Sequence, residues 1–308
     1  MTTATARIGR SRGFFKRLFE RFPSKLAIII ITLLWLIPTL GLLISSFRNP
    51  NLVKTSGWWT VVPHLFDKAE WTLANYRDVL SSQGFGNSFL NSLAVSIPAT
   101  VIPITVAAFA AYAFAWMDFK GRQWLFVAVV GLMVVPLQMA LIPILSLYSR
   151  GGHFMGITIF PDLKLNGTYM AVWLAHTGFG LPLAVYLLRN YIGSLPSSTI
   201  ESAKIDGANH FTIFWRLIIP LSVPALASFT IFQFLWVWND FLVALVFLGG
   251  TQEVRVITQA LAELNGTRGE AWHLLTSGAF ITMVLPLAVF FSLQRYFVRG
   301  LTAGSVKG

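Results

Sequence analysis

Cysteine is absent from this chain of 308 residues, so disulfides, thiolate metal sites and cysteine nucleophiles are excluded at once. Charge is scarce as well. Asp, Glu, Lys and Arg make up 11% of the residues, against about 25% in soluble globular domains. No G-x-x-x-x-G-K-[ST] stretch occurs, so the chain cannot cradle nucleotide phosphates in the P-loop manner, and any ATP-driven work must be powered by a partner. The five histidines show no ligand spacing, and no metal site is expected. What is abundant is apolar: 55% hydrophobic residues and a mean hydropathy of +0.67 mark a bilayer as the solvent.

Apolar runs at residues 26–46, 89–116, 124–147, 169–188, 221–248 and 274–294 give six candidate spans of an all-α, polytopic membrane protein. Each can cross a hydrocarbon core of about 30 Å, which takes roughly 20 residues. The second and fifth run longer, which implies tilt or extension beyond the bilayer. The first follows a basic stretch but exceeds a signal-peptide core and has no small-x-small site after Ser46, so it is expected to remain as an anchor.

The charges are distributed unevenly. Residues 1–25, 117–123, 189–220 and 295–308 hold fifteen Lys and Arg against four acids, a net of +11. The rest of the chain, with Asp240 counted at the outer end of span five, holds eight of each sign and is neutral. The positive-inside rule makes the basic side cytoplasmic, with both termini inside. Basic charge this localised reports membrane orientation and not nucleic acid, which would need a soluble basic platform. In the N-terminal arm, residues 1–25, the residues Phe14, Phe15, Leu18, Phe19 and Phe22 recur at helical spacing between basic residues. Such a helix suits the lipid interface; extra topogenic charge explains the same residues.

Polar residues within the spans are few. Gln138, His176 and Gln233 are neutral groups in spans three, four and five, where interhelical glue and a translocation path are the alternatives. Asn239 and Asp240 follow about 20 residues after Pro220, which sets them near the outer interface as a hydrogen-bonded outer gate. Eight prolines (38, 98, 103, 136, 143, 182, 224 and 286) fall within the spans, each removing a helical hydrogen bond and able to kink its helix.

Between spans four and five, residues 196–220 form a short polar connection. Ser198 with Glu201 three residues on reads as a capping box opening a helix over 199–206. Gly207 is a natural stop in the left-handed region, and Asn209 can cap a second segment leading to Pro220. Glu201-Ser202-Ala203, then Gly207, then Leu217-x-Ile219-Pro220 keep the intervals of a pattern that reads E-A-A, three residues, G, nine residues, I-x-L-P. The segment resembles the coupling loop of ABC-importer permeases, with Ser202 at the second position and Leu217 and Ile219 exchanging aliphatic types.

The run from Met133 to Pro143 and the tail from Gln294 to Gly308 look like those of the maltose-type carbohydrate permeases, in the shorter, six-span subunit of a heteromeric pair. The resemblance implies the type I ABC importer permease fold in a bacterial plasma membrane. It implies alternating access, a second permease, an ABC ATPase dimer that binds ATP and Mg²⁺, and an extracytoplasmic sugar-binding protein. It also implies that Glu201, Ser202, Ala203, Asp206, Gly207, Ala208 and Pro220 make the ATPase-coupling element, with Glu201, Ala203 and Gly207 fitting a cleft on the ATPase. This chain would be a transporter subunit, not an enzyme, with no cofactor of its own. Residues 295–308 would form a cytoplasmic tail reaching the ATPase. The substrate expected is an oligosaccharide or α-glucoside; polyol, phosphodiester or amino-acid import share the loop. A secondary transporter would need ionisable residues at the midplane, and an intramembrane enzyme a nucleophile or metal cluster. The segment 47–88 contains Trp58, Trp59 and the run Trp71–Leu80. For the tryptophans an interfacial belt and a docking subdomain are both open, whereas Asn75 and Tyr76 are expected to serve the binding protein.

Overall fold

Among the described residues, five helices are long and apolar enough to cross a membrane: Phe22–Phe47, Phe85–Trp116, Tyr169–Gly193, His210–Trp238 and Trp272–Arg295. The pair Arg122–Val134 and Leu137–Arg150 makes a sixth crossing if taken as one span. In chain order these are spans one to six, the bent pair being span three. The computed structural model describes residues 5–81, 84–264 and 271–303, with side chains for 22–81, 84–264 and 271–295. The side chains of the amphipathic arm before Phe22 and the tail from residue 304 lie outside the described residues.

Two spans differ from the apolar runs. Span three, expected to run through 124–147, is bent by 105° between its halves. Pro136 is the cause, since proline drives the residue before it out of the helical region, and Val135 and Pro136 are extended at ψ 116° and 128°. Span five, expected over 221–248, begins at His210 and stops at Trp238. After Asn239 and Asp240 the apolar run continues as a separate helix, Leu242–Leu248, packed against span four. The all-α expectation also misses a hairpin, Gly152–Phe154 paired antiparallel with Ile157–Phe160. Its two-residue turn, Met155-Gly156, has φ of 50° and 79°, the positive values that such tight hairpin turns require.

Span two packs most extensively against span four. Its buried face is made largely of small residues, among them Ser92, Ser96, Ala99, Ala107 and Ala111, which let a neighbouring backbone approach closely where hydrophobicity alone cannot drive association. Span five lies against spans two, four and six. Span one is peripheral, with 6% of its apolar window buried, and it packs mainly on span six.

At the end away from the 196–220 loop, residues 47–81 fold around a buried ion pair. Arg48 is 1% exposed and bonds Glu70 Oε2 at 3.0 Å, the Gly57 carbonyl at 2.9 Å and Ser56 Oγ at 3.1 Å. Asn75 is fully buried and donates to the carbonyls of Ser46 and Arg48 at 2.9 and 2.8 Å. The Tyr76 hydroxyl meets Ser46 Oγ at 2.8 Å. These two residues therefore staple the end of span one, and Asn75 itself has no exposed surface to offer a binding protein. Trp58 is half-buried over Gly41 of span one, and Trp59 is 64% exposed.

Candidate functional site

The connection between spans four and five opens at Pro196, whose φ of −59° and ψ of 123° start a helix over Ser197–Ile205. No side chain caps this helix, so the capping box expected of Ser198 and Glu201 is not formed. Tertiary packing sets the start instead. Ile200 is 1% exposed and belongs to one apolar cluster with Ile213, Phe214 and Ile218, against which Leu195, Ala203 and Ala208 also pack.

The helix ends as its sequence requires. Gly207 has φ +81°. Its N–H donates to the Lys204 carbonyl at 3.0 Å, and the Ala208 N–H reaches back to Ala203 at 3.0 Å. This is the double closure of a Schellman stop, and Ala203 and Ala208 both pack on the same apolar cluster. Asn209 then accepts from the Thr212 N–H at 2.8 Å and starts the next helix.

That next helix is continuous with span five. Between His210–Ile213 and Ile219–Trp238 lies a π-helical stretch, Phe214–Ile218, where the Ile219 N–H bonds the Phe214 carbonyl. Pro220 accounts for the widening: it offers no N–H to Arg216 and its ring crowds that carbonyl. The stretch is held against span two by aromatic contacts. Phe109 stacks on Phe214 with centroids 4.5 Å apart, and the Tyr112 hydroxyl meets His210 Nδ1 at 2.8 Å. The loop is thus fastened to the bundle on one side and free on the other.

The predicted coupling residues divide accordingly. Glu201, Ser202, Asp206, Gly207 and Pro220 are exposed, while Ala203 and Ala208 turn partly inward. Two exposed residues went unnoticed in the sequence: Ile205 at 85% and Phe211 at 69%. Large apolar side chains standing out of a short polar helix-turn-helix are the signal that identifies them.

The polar residues of the spans gather only in part. His176 and Gln233 are fully buried, and His176 Nε2 lies 3.7 Å from Asp240 Oδ2. Asp240 accepts from the backbone N–H of Val243 and Ala244 at 3.3 and 2.9 Å, capping Leu242–Leu248. The His176 ring meets Trp236 edge-on at 5.4 Å. Trp236, Tyr148 and Phe179 line a half-open cavity of about 410 Å³ at the elbow of span three. Gln138 and Asn239 are exposed and do not join this group; the Asn239 amide donates to the Leu235 carbonyl at 2.8 Å.

A bundle of five or six spans, with a short helix-turn-helix continuous with one of them, is the arrangement expected of an ABC importer permease. The chain belongs to the family of the binding-protein-dependent transport system inner membrane component, whose model matches residues 103–303. It is 54% identical to the osmoprotective compounds uptake permease protein GgtD of Synechocystis sp., over the full length of both chains. It is 45% identical to the α-glucoside transport system permease protein AglG of Rhizobium meliloti, covering 92% of this chain and 96% of that one. The fold matches a chain of a bacterial ABC transporter that imports the acidic polysaccharide alginate, with TM-score 0.67 and 21% identity, over 91% of this chain and 97% of that one.

Proposed function

We propose that this permease subunit carries small neutral glycosides, of the α-glucoside or oligosaccharide class, across a bacterial plasma membrane. Both termini face the cytoplasm, where the excess positive charge of the connecting segments lies. A second permease completes the path, an ABC ATPase dimer holds ATP and Mg²⁺, and an extracytoplasmic binding protein delivers the sugar. The chain carries no nucleotide site of its own and touches lipid but no nucleic acid.

One observation carries the coupling role. The exposed face of 201–211 belongs to a unit closed by a Schellman stop and continuous with span five. A short helix fixed this way transmits displacement instead of absorbing it. Glu201 and Asp206 offer charge, and Ile205 and Phe211 offer apolar area, to a cleft on the ATPase. At the other end of the bundle, His176 and Asp240 lie beside the translocation path, with Gln138 and Asn239 at its exposed margins, while Gln233, buried against Gly180 and the Ala99 carbonyl, serves as interhelical glue. A net-neutral distal face suits an uncharged substrate, as does the kinship with an α-glucoside permease. The relative named for osmoprotective compounds favours a second reading, uptake of a compatible solute.

Affinity purification of the tagged chain from membranes in mild detergent, followed by uptake assays with labelled α-glucosides and compatible solutes, tests both. Recovery of a second permease and an ABC ATPase is the expected result. A monodisperse chain that purifies alone and transports without ATP would overturn the assignment.

A further inference from the structure

Proline has no backbone N–H, so in a helix the carbonyl four residues earlier loses its partner. At membrane depth no water replaces it, and a neighbouring helix has to supply the donor. Three such carbonyls are met by side chains from other spans. Pro98 frees the Ala94 carbonyl, which accepts from Trp173 Nε1 at 3.0 Å. Pro103 frees the Ala99 carbonyl, which accepts from Gln233 Nε2 at 3.2 Å. Pro286 frees the Thr282 carbonyl, which accepts from Trp238 Nε1 at 3.2 Å. Spans four and five thus hold span two at two successive proline sites, and span five holds span six at one.

Gln233 differs from the two tryptophans. It is fully buried, yet its Oε1 has no hydrogen-bond partner. It lies directly over Gly180 of span four, where an added Cβ would come within 2.7 Å of Oε1. A buried polar atom left unpaired is costly, and an apolar residue of the same size would avoid that cost. What the glutamine gains is a bond to span two from the very helix that begins at His210, one residue beyond Asn209 and the coupling turn.

We infer that Gln233 is a positioning residue of the transport cycle. Its amide N–H latches span two, at the Pro103 kink, to the helix that carries the coupling loop. Span two then follows span five when the loop is driven from one access state to the other. The inference rests on the coupling role assigned above to residues 201–211.

The test uses the whole complex, both permeases with the ATPase and binding protein, in proteoliposomes. Uptake, ATP hydrolysis and thermal stability are read per assembled complex for Gln233→Leu, Pro103→Ala, the double variant and Gly207→Val. Q233L is expected to lower maximal uptake about tenfold at an unchanged half-saturating substrate concentration, with ATP hydrolysis continuing. P103A returns a backbone N–H to the Ala99 carbonyl, so Q233L/P103A should regain thermal stability while staying uncoupled. That double variant also keeps the test decisive if Q233L alone fails to assemble. Recovery of coupled uptake in the double variant would show that Gln233 merely fills a carbonyl, and would overturn the inference. So would wild-type uptake by Q233L with G207V uncoupled. Coupled import by G207V would remove the coupling-loop assignment and the inference together.

Discussion

Asp240 joins two elements at the distal end of the bundle: its Oδ2 lies 3.7 Å from His176 Nε2 of span four and accepts from the Ala244 N–H at 2.9 Å. The carboxylate therefore caps the helix that follows span five and lies beside the buried His176 ring of span four. The apolar run across 221–248 is split at this point by one polar pair, Asn239-Asp240.

Asp240→Ala should lose the cap of Leu242–Leu248 and about 1 kcal/mol of stability, whereas Asp240→Asn, which keeps a capping oxygen, should lose a few tenths. Thermal unfolding of the purified complex in detergent distinguishes them. Equal midpoints for D240A and wild type would show that the cap contributes nothing.

Gly207 sits at φ +81° with no atom within 4 Å of an added Cβ, so backbone strain alone opposes substitution there. Valine should cost upwards of about 1–2 kcal/mol of local stability, since a side chain in the left-handed region meets its own carbonyl. Asparagine, which tolerates that region, should cost less. The expected readout is loss of coupled uptake in G207V with the complex still assembled, and near-normal uptake in G207N.

Removing Glu70 strands the Arg48 guanidinium, 1% exposed, inside the 47–81 subdomain. Breaking a buried pair in this way costs about 3–5 kcal/mol. Glu70→Ala should thus lower the yield of folded protein and raise protease cleavage within residues 50–81. A substitution of both residues by apolar ones of similar volume should recover much of the loss. An E70A protein as protease-resistant as wild type would contradict this account.

Ile205 and Phe211 bury little within this chain, so Ile205→Asp and Phe211→Asp should leave its fold intact. Each should sharply reduce the ATPase recovered with the tagged permease, because an aspartate in an apolar contact has to be desolvated. Quantitative mass spectrometry of the purified complex measures the ratio. Full ATPase recovery with both variants would move the docking face elsewhere on the loop.

Much of the coupling segment could be read from local order. Gly207 and Asn209 do what their residue types favour, because a left-handed stop and an N-cap need only neighbours in sequence. The capping box of Ser198 and Glu201 fails for the opposite reason: the burial of Ile200 sets where the helix begins, and no local pattern reports that depth. The end of span five carried an overlooked signal, since Asp240 before an apolar run is itself a helix start. Run-length hydropathy passes over it by averaging. Asn75 and Tyr76 look like surface residues in a polar loop, yet they bond to Ser46 at the end of span one.

By itself, the sequence determined the solvent, the number of apolar runs, the charge imbalance between the two sets of connections and the intervals of the coupling loop. All of these are sums or spacings along the chain. Which buried groups meet was decided by the tertiary structure alone. Arg48 finds Glu70 across 22 residues, and Gln233 finds the Ala99 carbonyl across 134. Neither partner has a sequence signature. A proline predicts that a carbonyl will be left free, but the packing of helices determines which side chain reaches it.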